Sequence, residues 1–145
     1  MITIIIKERE MQAATARNTR QKTAVAEAVL CSCDHPTAET VFERARERVP
    51  GISLGTVYRV LGALTREGRV REIAVPGAPS RFDKTTSCHA HFLCTACGAV
   101  SDVKLDGDLL TPARAACRGA DVNEAEIVFK GVCARCREER YESAL

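Results

Sequence analysis

Three observations predict an α+β chain in two parts. Helical periodicity runs as far as Gly68, period-two alternation follows it, and two Cys-x-x-Cys pairs, Cys94/Cys97 and Cys133/Cys136, punctuate the remainder. A chain of 145 residues suffices for one ordinary domain or two small ones sharing a core. With 46% apolar and 28% charged residues its composition is that of a globular protein, not a disordered one.

The first ten or so residues read as irregular, a frayed strand or an extended start. Thr19 to about Leu30 is helical, with Val25, Ala28 and Val29 on one face. Cys31-Ser-Cys-Asp-His-Pro36 breaks that helix. Thr37 is a good N-cap for a second one, with Glu39 in its first turn and Val41, Phe42, Ala45 and Val49 as the buried stripe; Pro50-Gly51 ends it. Ser53 caps a third helix, in which Leu54, Val57, Leu61 and Leu64 recur at three- and four-residue intervals, and Gly68 stands where a left-handed terminator is expected. Arg69 to Val75 alternates as a strand, Pro76-Gly-Ala-Pro79 turns, and Ser80 to Asp83 returns. Three helices and a two-stranded hairpin are the element order of a winged helix-turn-helix. Beyond Lys84 the character changes. His89 to Val103 reads as two short strands around a Cys-x-x-Cys-Gly knuckle, Asp108 to about Cys117 as a short helix, and Glu124 to Val132 as a strand with Ala125, Ile127 and Phe129 on one face. The division expected is 1–84 and 85–145.

Net charge is only +2, but residues 1–86 carry 14 Lys and Arg against 10 Asp and Glu, while residues 87–145 carry 7 against 9. A basic first half suits a nucleic-acid reader, and scattered solvated charge explains so small an asymmetry equally well. The start, Met1 to Lys7, has too short an apolar run for a secretory signal, and nothing approaches the ~18 apolar residues of a membrane span. A cytoplasmic location is therefore expected. Thiols stay reduced there, so clustered cysteines point to metal more than to disulfides.

The paired knuckles carry the sharpest chemistry. Two residues between thiolates let one turn present both sulfurs to a tetrahedral Zn²⁺ at ~2.3 Å, and two such turns fill the shell. A filled shell leaves no position for water, which makes the site structural. The alternative is two independent redox pairs, for which neither Cys-x-x-Cys has the βαβ context. The intervening 35 residues must hold a strand and a helix. A second donor set is looser. His89-x-His91 on a strand puts both imidazoles on one face, with Asp83 and Asp102 flanking them. Nitrogen and carboxylate donors without thiolate favour Fe²⁺ or Mn²⁺. Taken singly, His35 before a proline reads as a cap or surface residue, and the aspartates as turn formers.

The ordered segments Asp34-His-Pro-Thr-Ala-Glu39, Ile52 to Leu61, Ser80-Arg-Phe-Asp83, His89 to Gly98 and Gly131-Val-Cys-Ala-Arg-Cys136 together resemble the ferric uptake regulator family, from about Arg17 to Arg137. The resemblance implies a homodimeric, metal-dependent repressor that binds a palindromic operator in double-stranded DNA, with an N-terminal winged-helix domain and a small C-terminal αβ dimerisation domain. It implies structural zinc on Cys94, Cys97, Cys133 and Cys136. The regulatory Fe²⁺ or Mn²⁺ falls on His35, Asp83, His89, His91 and Asp102. It places DNA contacts on Tyr58 and Arg59 of the third helix and on Arg17. Aspartate at both 83 and 102 resembles the peroxide-stress branch, in which bound Fe²⁺ reacts with H₂O₂ and a ligand histidine is oxidised; the iron-uptake branch usually has glutamates there. An iron- or manganese-uptake regulator without peroxide sensing is the alternative. An ion gripped by both halves would set the spacing of two readers to successive major grooves, roughly 34 Å apart. Cys88 departs from the family pattern, and Cys31, Cys33 and Cys117 read as small buried hydrophobes. Two further rivals are an enzyme (a zinc hydrolase or thiol oxidoreductase) and a zinc-stapled interaction module without DNA binding. The first lacks an open zinc shell and a nucleophile–base constellation.

Overall fold

The protein is described by a computed structural model over residues 2–87, 89–108, 110–123 and 125–142, with side-chain positions for all of these except 2–14, 110, 113, 141 and 142. Two compact units divide it, Met1–Thr86 and Ser87–Leu145. Among these residues no helix is long and apolar enough to cross a membrane.

The first unit begins with α1 (Ile2–Leu30), a 29-residue helix. The expectation of an irregular start is corrected here. Glu, Gln, Met, Ala and Arg dominate residues 8–17, all strong helix formers, so propensity extends the helix upstream of its buried stripe. Ala24, Val25 and Val29 are its buried side chains among the residues whose side chains are described. Next, α2 (Ala38–Arg48) starts at Thr37, whose hydroxyl accepts from the Thr40 N–H at 3.2 Å. Val41 and Ala45 face the core, while Phe42 is only half-buried under the Arg46 guanidinium, 5.3 Å from its ring centre. A Thr37→Ala substitution removes one cap and is expected to cost about 1 kcal/mol in a denaturant titration. An unchanged midpoint would mean that the hydroxyl contributes nothing.

The third helix, α3 (Leu54–Arg66), is capped by Ser53 and ends in two bonds, Gly68 N–H to Thr65 O at 3.0 Å and Arg69 N–H to Leu64 O at 2.9 Å. Gly68 has φ +67°, as this terminator requires. Val57, Val60, Leu61 and Leu64 are buried against the stripes of α1 and α2. Each such side chain contributes about 1.5–3 kcal/mol by leaving water. The hairpin β1 (Arg71–Ile73) and β2 (Arg81–Asp83) pairs Arg71 with Asp83 and Ile73 with Arg81, and Phe82 joins the helical core.

In the second unit a three-stranded sheet has the order β4-β3-β5, where β3 is Ala90–Cys94, β4 is Val100–Val103 and β5 is Ile127–Gly131. The central strand β3 runs antiparallel to β4 and parallel to β5. A short helix, α4 (Leu110–Ala116), lies in the connection, and α5 (Ala134–Glu142) closes the unit. Phe129, grouped by alternation with Ala125 and Ile127, has a side chain 45% exposed on β5. Strand β5 pairs only with β3, so it is an edge strand.

Candidate metal centres and nucleic-acid face

The thiol cluster follows from strand register. In the parallel pair Cys94 lies opposite Gly131, so the chain beyond each strand end turns at the same level of the sheet. The Thr95 N–H bonds to Gly131 O at 2.7 Å and locks the two ends together. After β3 the knuckle closes with the Gly98 N–H on Cys94 O at 2.9 Å, Gly98 being at φ +69°. After β5, Cys133 precedes α5 and Cys136 lies in its first turn. One sulfur from each residue falls within 4.8 Å of all the others, and the Cys97 and Cys133 sulfurs are 4.0 Å apart. A tetrahedron with ~2.3 Å bonds has edges of roughly 3.8 Å, so this set fits zinc with little movement.

The protonation chemistry agrees. The Cys94 thiol is lowered to about 6, chiefly by the Cys133 and Cys97 backbone N–H groups that donate to its sulfur. Cys136 is pushed up to about 12, because its proton is shared with the sulfurs of Cys133 and Cys97. Four sulfurs this close cannot all be anionic without a cation among them. A dication supplies what is missing, and its arrival releases protons.

The second donor set is built from two half-sites. In the first unit, His35 and Asp83 are both buried, with Nε2 and Oδ2 at 3.8 Å. His35 stands in the connection between α1 and α2 at φ +47°, a left-handed conformation uncommon for residues other than glycine. That connection is tied to β2 by the Phe82 N–H on Pro36 O at 3.0 Å and by the Arg81 guanidinium on His35 O at 3.4 Å. Asp83 ends β2 and accepts from the Thr85 N–H at 2.8 Å. In the second unit, His91 is fully buried on β3 directly opposite Asp102 on β4, and His89 precedes the strand. Asp102 Oδ1 is 3.2 Å from His89 Nε2 and 3.8 Å from His91 Nε2, so one oxygen faces two ring nitrogens. The Ser87 carbonyl, 2.8 Å from His89 Nδ1, can only accept, which places the ring proton on Nδ1. In neutral His89 the Nε2 lone pair then points at a carboxylate. A proton or a metal ion resolves that opposition, and mixed nitrogen and oxygen donors suit Fe²⁺ or Mn²⁺.

The proposed reading residues lie in the first unit. Tyr58 and Arg59 occupy the outward face of α3, Tyr58 being 49% exposed, and Arg17 is exposed on α1. Two partners were not legible in the sequence. The Tyr58 hydroxyl donates to Glu39 on α2 at 2.9 Å, and Arg59 donates to Asn18 on α1 at 3.1 Å. These contacts span 19 and 41 residues, and no local pattern announces them. Cys31, Cys33 and Cys117 are all exposed, which corrects their reading as buried hydrophobes. Cys88 lies outside the described residues.

Three helices and a hairpin with an exposed tyrosine–arginine face, followed by separate thiol and imidazole donor sets, define a metal-dependent transcription regulator. The chain belongs to the ferric uptake regulator family, whose model matches residues 13–130. The peroxide operon regulator of Bacillus subtilis is 33% identical over 124 residues, covering 85% of this chain and 86% of that one. The transcriptional regulator FurA of Mycobacterium tuberculosis is 34% identical over 129 residues, covering 88% and 87%. Among solved structures, the Campylobacter jejuni peroxide stress regulator matches with a TM-score of 0.69 at 26% identity, covering 94% of this chain and 99% of that one. Overall identity to the two kinds of sequence relative is nearly equal, so the branch must be argued from the site.

Proposed function

We propose that this chain is a peroxide-responsive, cytoplasmic, homodimeric repressor in which one Fe²⁺ or Mn²⁺ ion is held jointly by His35, Asp83, His89, His91 and Asp102. The observation that carries the reading is the convergence of His89 and His91 on Asp102 Oδ1, a half-site of nitrogen and carboxylate oxygen. His35 and Asp83 supply the same donor types from the DNA-reading unit. An ion gripping both half-sites links the reader to the pairing module and favours a dimer able to span a palindromic operator, by no more than its differential affinity for that state. Iron held by these residues would supply one-electron chemistry with H₂O₂, and oxidation of His35, His89 or His91 would remove a donor from the set. Tyr58 reads thymine methyls, Arg59 guanine edges or phosphate, and Arg17 the minor groove or backbone. Cys94, Cys97, Cys133 and Cys136 hold structural zinc and take no part in sensing. On this reading the chain turns over no substrate.

The test is mass spectrometry of iron-loaded protein after dilute peroxide. A gain of about sixteen daltons, one oxygen, on a peptide containing His35, His89 or His91 is expected. Unmodified histidines in protein that still binds a duplex in a metal-dependent way would identify an iron- or manganese-uptake regulator instead. His89→Ala is expected to keep its zinc and its fold while losing metal-dependent, salt-sensitive retention of the operator. Unchanged metal dependence in that variant would remove His89 from the site.

A further inference from the structure

Outside both metal centres, one thiol pair has no role in the reading above. Cys31 and Cys33 flank Ser32 at the end of α1, and both are exposed thiols while Ser32 is buried. Ser32 is held inward: its hydroxyl donates to Ala28 O at 2.6 Å and accepts from Arg44 Nη1 at 2.5 Å. Arg44 also grips both carboxylate oxygens of Asp34, at 3.1 and 2.7 Å. With the middle residue facing in, its two neighbours are turned to the solvent side together. Both line one open cleft of about 650 Å³ between α1 and α2, large enough to admit a small organic hydroperoxide. Lys84 Nζ donates to Cys33 Sγ at 3.2 Å and holds that sulfur at the rim.

The spacing permits a bond between the two sulfurs. Two trans peptide steps of 3.80 Å keep Cα atoms separated by one residue under ~7.6 Å, and a bent segment brings them into the ~4.4–6.8 Å that a disulfide spans. This segment is bent: the Cys31 N–H bonds to Glu27 O at 3.0 Å and the Ser32 N–H to Val29 O at 3.2 Å, curling the chain out of the helix. Cys117, the other exposed cysteine outside the zinc cluster among the described residues, has no cysteine at comparable spacing in the sequence.

We propose that Cys31 and Cys33 are a reversible dithiol–disulfide pair that reacts with hydroperoxides independently of the metal centre. One sulfur attacks a peroxide oxygen, the O–O bond breaks, and alcohol (or water, from H₂O₂) leaves with a proton. The second thiol then displaces hydroxide from the resulting sulfenic acid, forming the S–S bond and releasing water. Two thiols lose two electrons and two protons, and the hydroperoxide is reduced by two electrons. The ring so closed contains Ser32, whose hydroxyl anchors the turn to Arg44, two residues ahead of His35.

Zinc-loaded, iron-free full-length protein treated with cumene hydroperoxide tests this, because histidine oxidation needs iron and this reaction does not. Trypsin releases residues 23–44, which contain both thiols and His35 and no other cysteine. The expected result is a loss of about two daltons from that peptide, loss of both alkylatable thiols, full reversal by dithiothreitol, and unchanged zinc content. In the same peptide a histidine product would instead gain about sixteen daltons, so the two chemistries fail separately. Cys33→Ser is expected to abolish the two-dalton loss and to leave a sulfenic acid on Cys31 that dimedone traps. Two thiols still alkylatable after treatment, a bond joining either sulfur to another cysteine, or direct over-oxidation of one sulfur would each overturn the proposal.

Discussion

Cys94→Ser is expected to lose zinc and, with it, the folded state of the second unit. Its sulfur is buried, ends the central strand, and accepts the Cys133 N–H at 3.3 Å, joining the two knuckles. The buried apolar side chains of the second unit among the described residues are Ala90, Leu93 and Val100 with Cys94 and Cys136, against thirteen in the helical cluster of the first unit. So small a core rarely stabilises a fold alone, whereas a structural zinc contributes on the order of 10–16 kcal/mol to peptides of this kind. Elemental analysis should show near-complete loss of zinc. Hydrogen exchange should show loss of protection in β3, β4 and β5, with protection in α2 and α3 retained. Protected strands in a zinc-free variant would mean that the thiols are not the staple.

Leu61→Ala is expected to destabilise the first unit by about 2–5 kcal/mol, a large part of the 5–15 kcal/mol typical of a domain. Leu61 is fully buried at the centre of the α1–α2–α3 cluster, where close packing leaves the neighbours little freedom to fill the void. Three residues earlier on the same helix, Tyr58 gives the opposite split. Being half-exposed, with its hydroxyl bonded to an equally exposed Glu39, its truncation to alanine should change stability by no more than about 0.5 kcal/mol while weakening operator binding. Parallel denaturant and duplex-binding titrations on the two variants check this. A stability loss for Tyr58→Ala near that of Leu61→Ala would make the residue a packing element and remove it from the reading face.

The helices of the first unit were legible because their signals are local. Thr37 and Ser53 as caps, Gly68 as terminator and the 57–61–64 spacing each act within a turn or two of chain. The upstream part of α1 was not, since its sequence carries propensity without an amphipathic period, and a search for that period passes over it. The exposure of Phe129 was not legible either: alternation says that two faces differ, not that either is covered. The donor types of both metal sets were visible as residues, and the thiol set also as spacing. The left-handed backbone of His35 was not read from the sequence, because the contacts that hold it come from β2, more than forty residues away. Exposure of Cys31 and Cys33 was hidden likewise, being decided by the Ser32–Arg44 anchor.

Strand β3 carries His91 at its second residue and Cys94 at its last, three positions apart. At about 3.3 Å per residue the two donors stand some 10 Å from each other on one rigid ribbon. A cation held by the thiols would therefore fasten the end of the same strand that presents an imidazole to the second donor set. Under the proposed function loading would have an order: a chain deprived of zinc would have no platform on which to weigh iron, and scarcity of the first metal would be felt as deafness to the second.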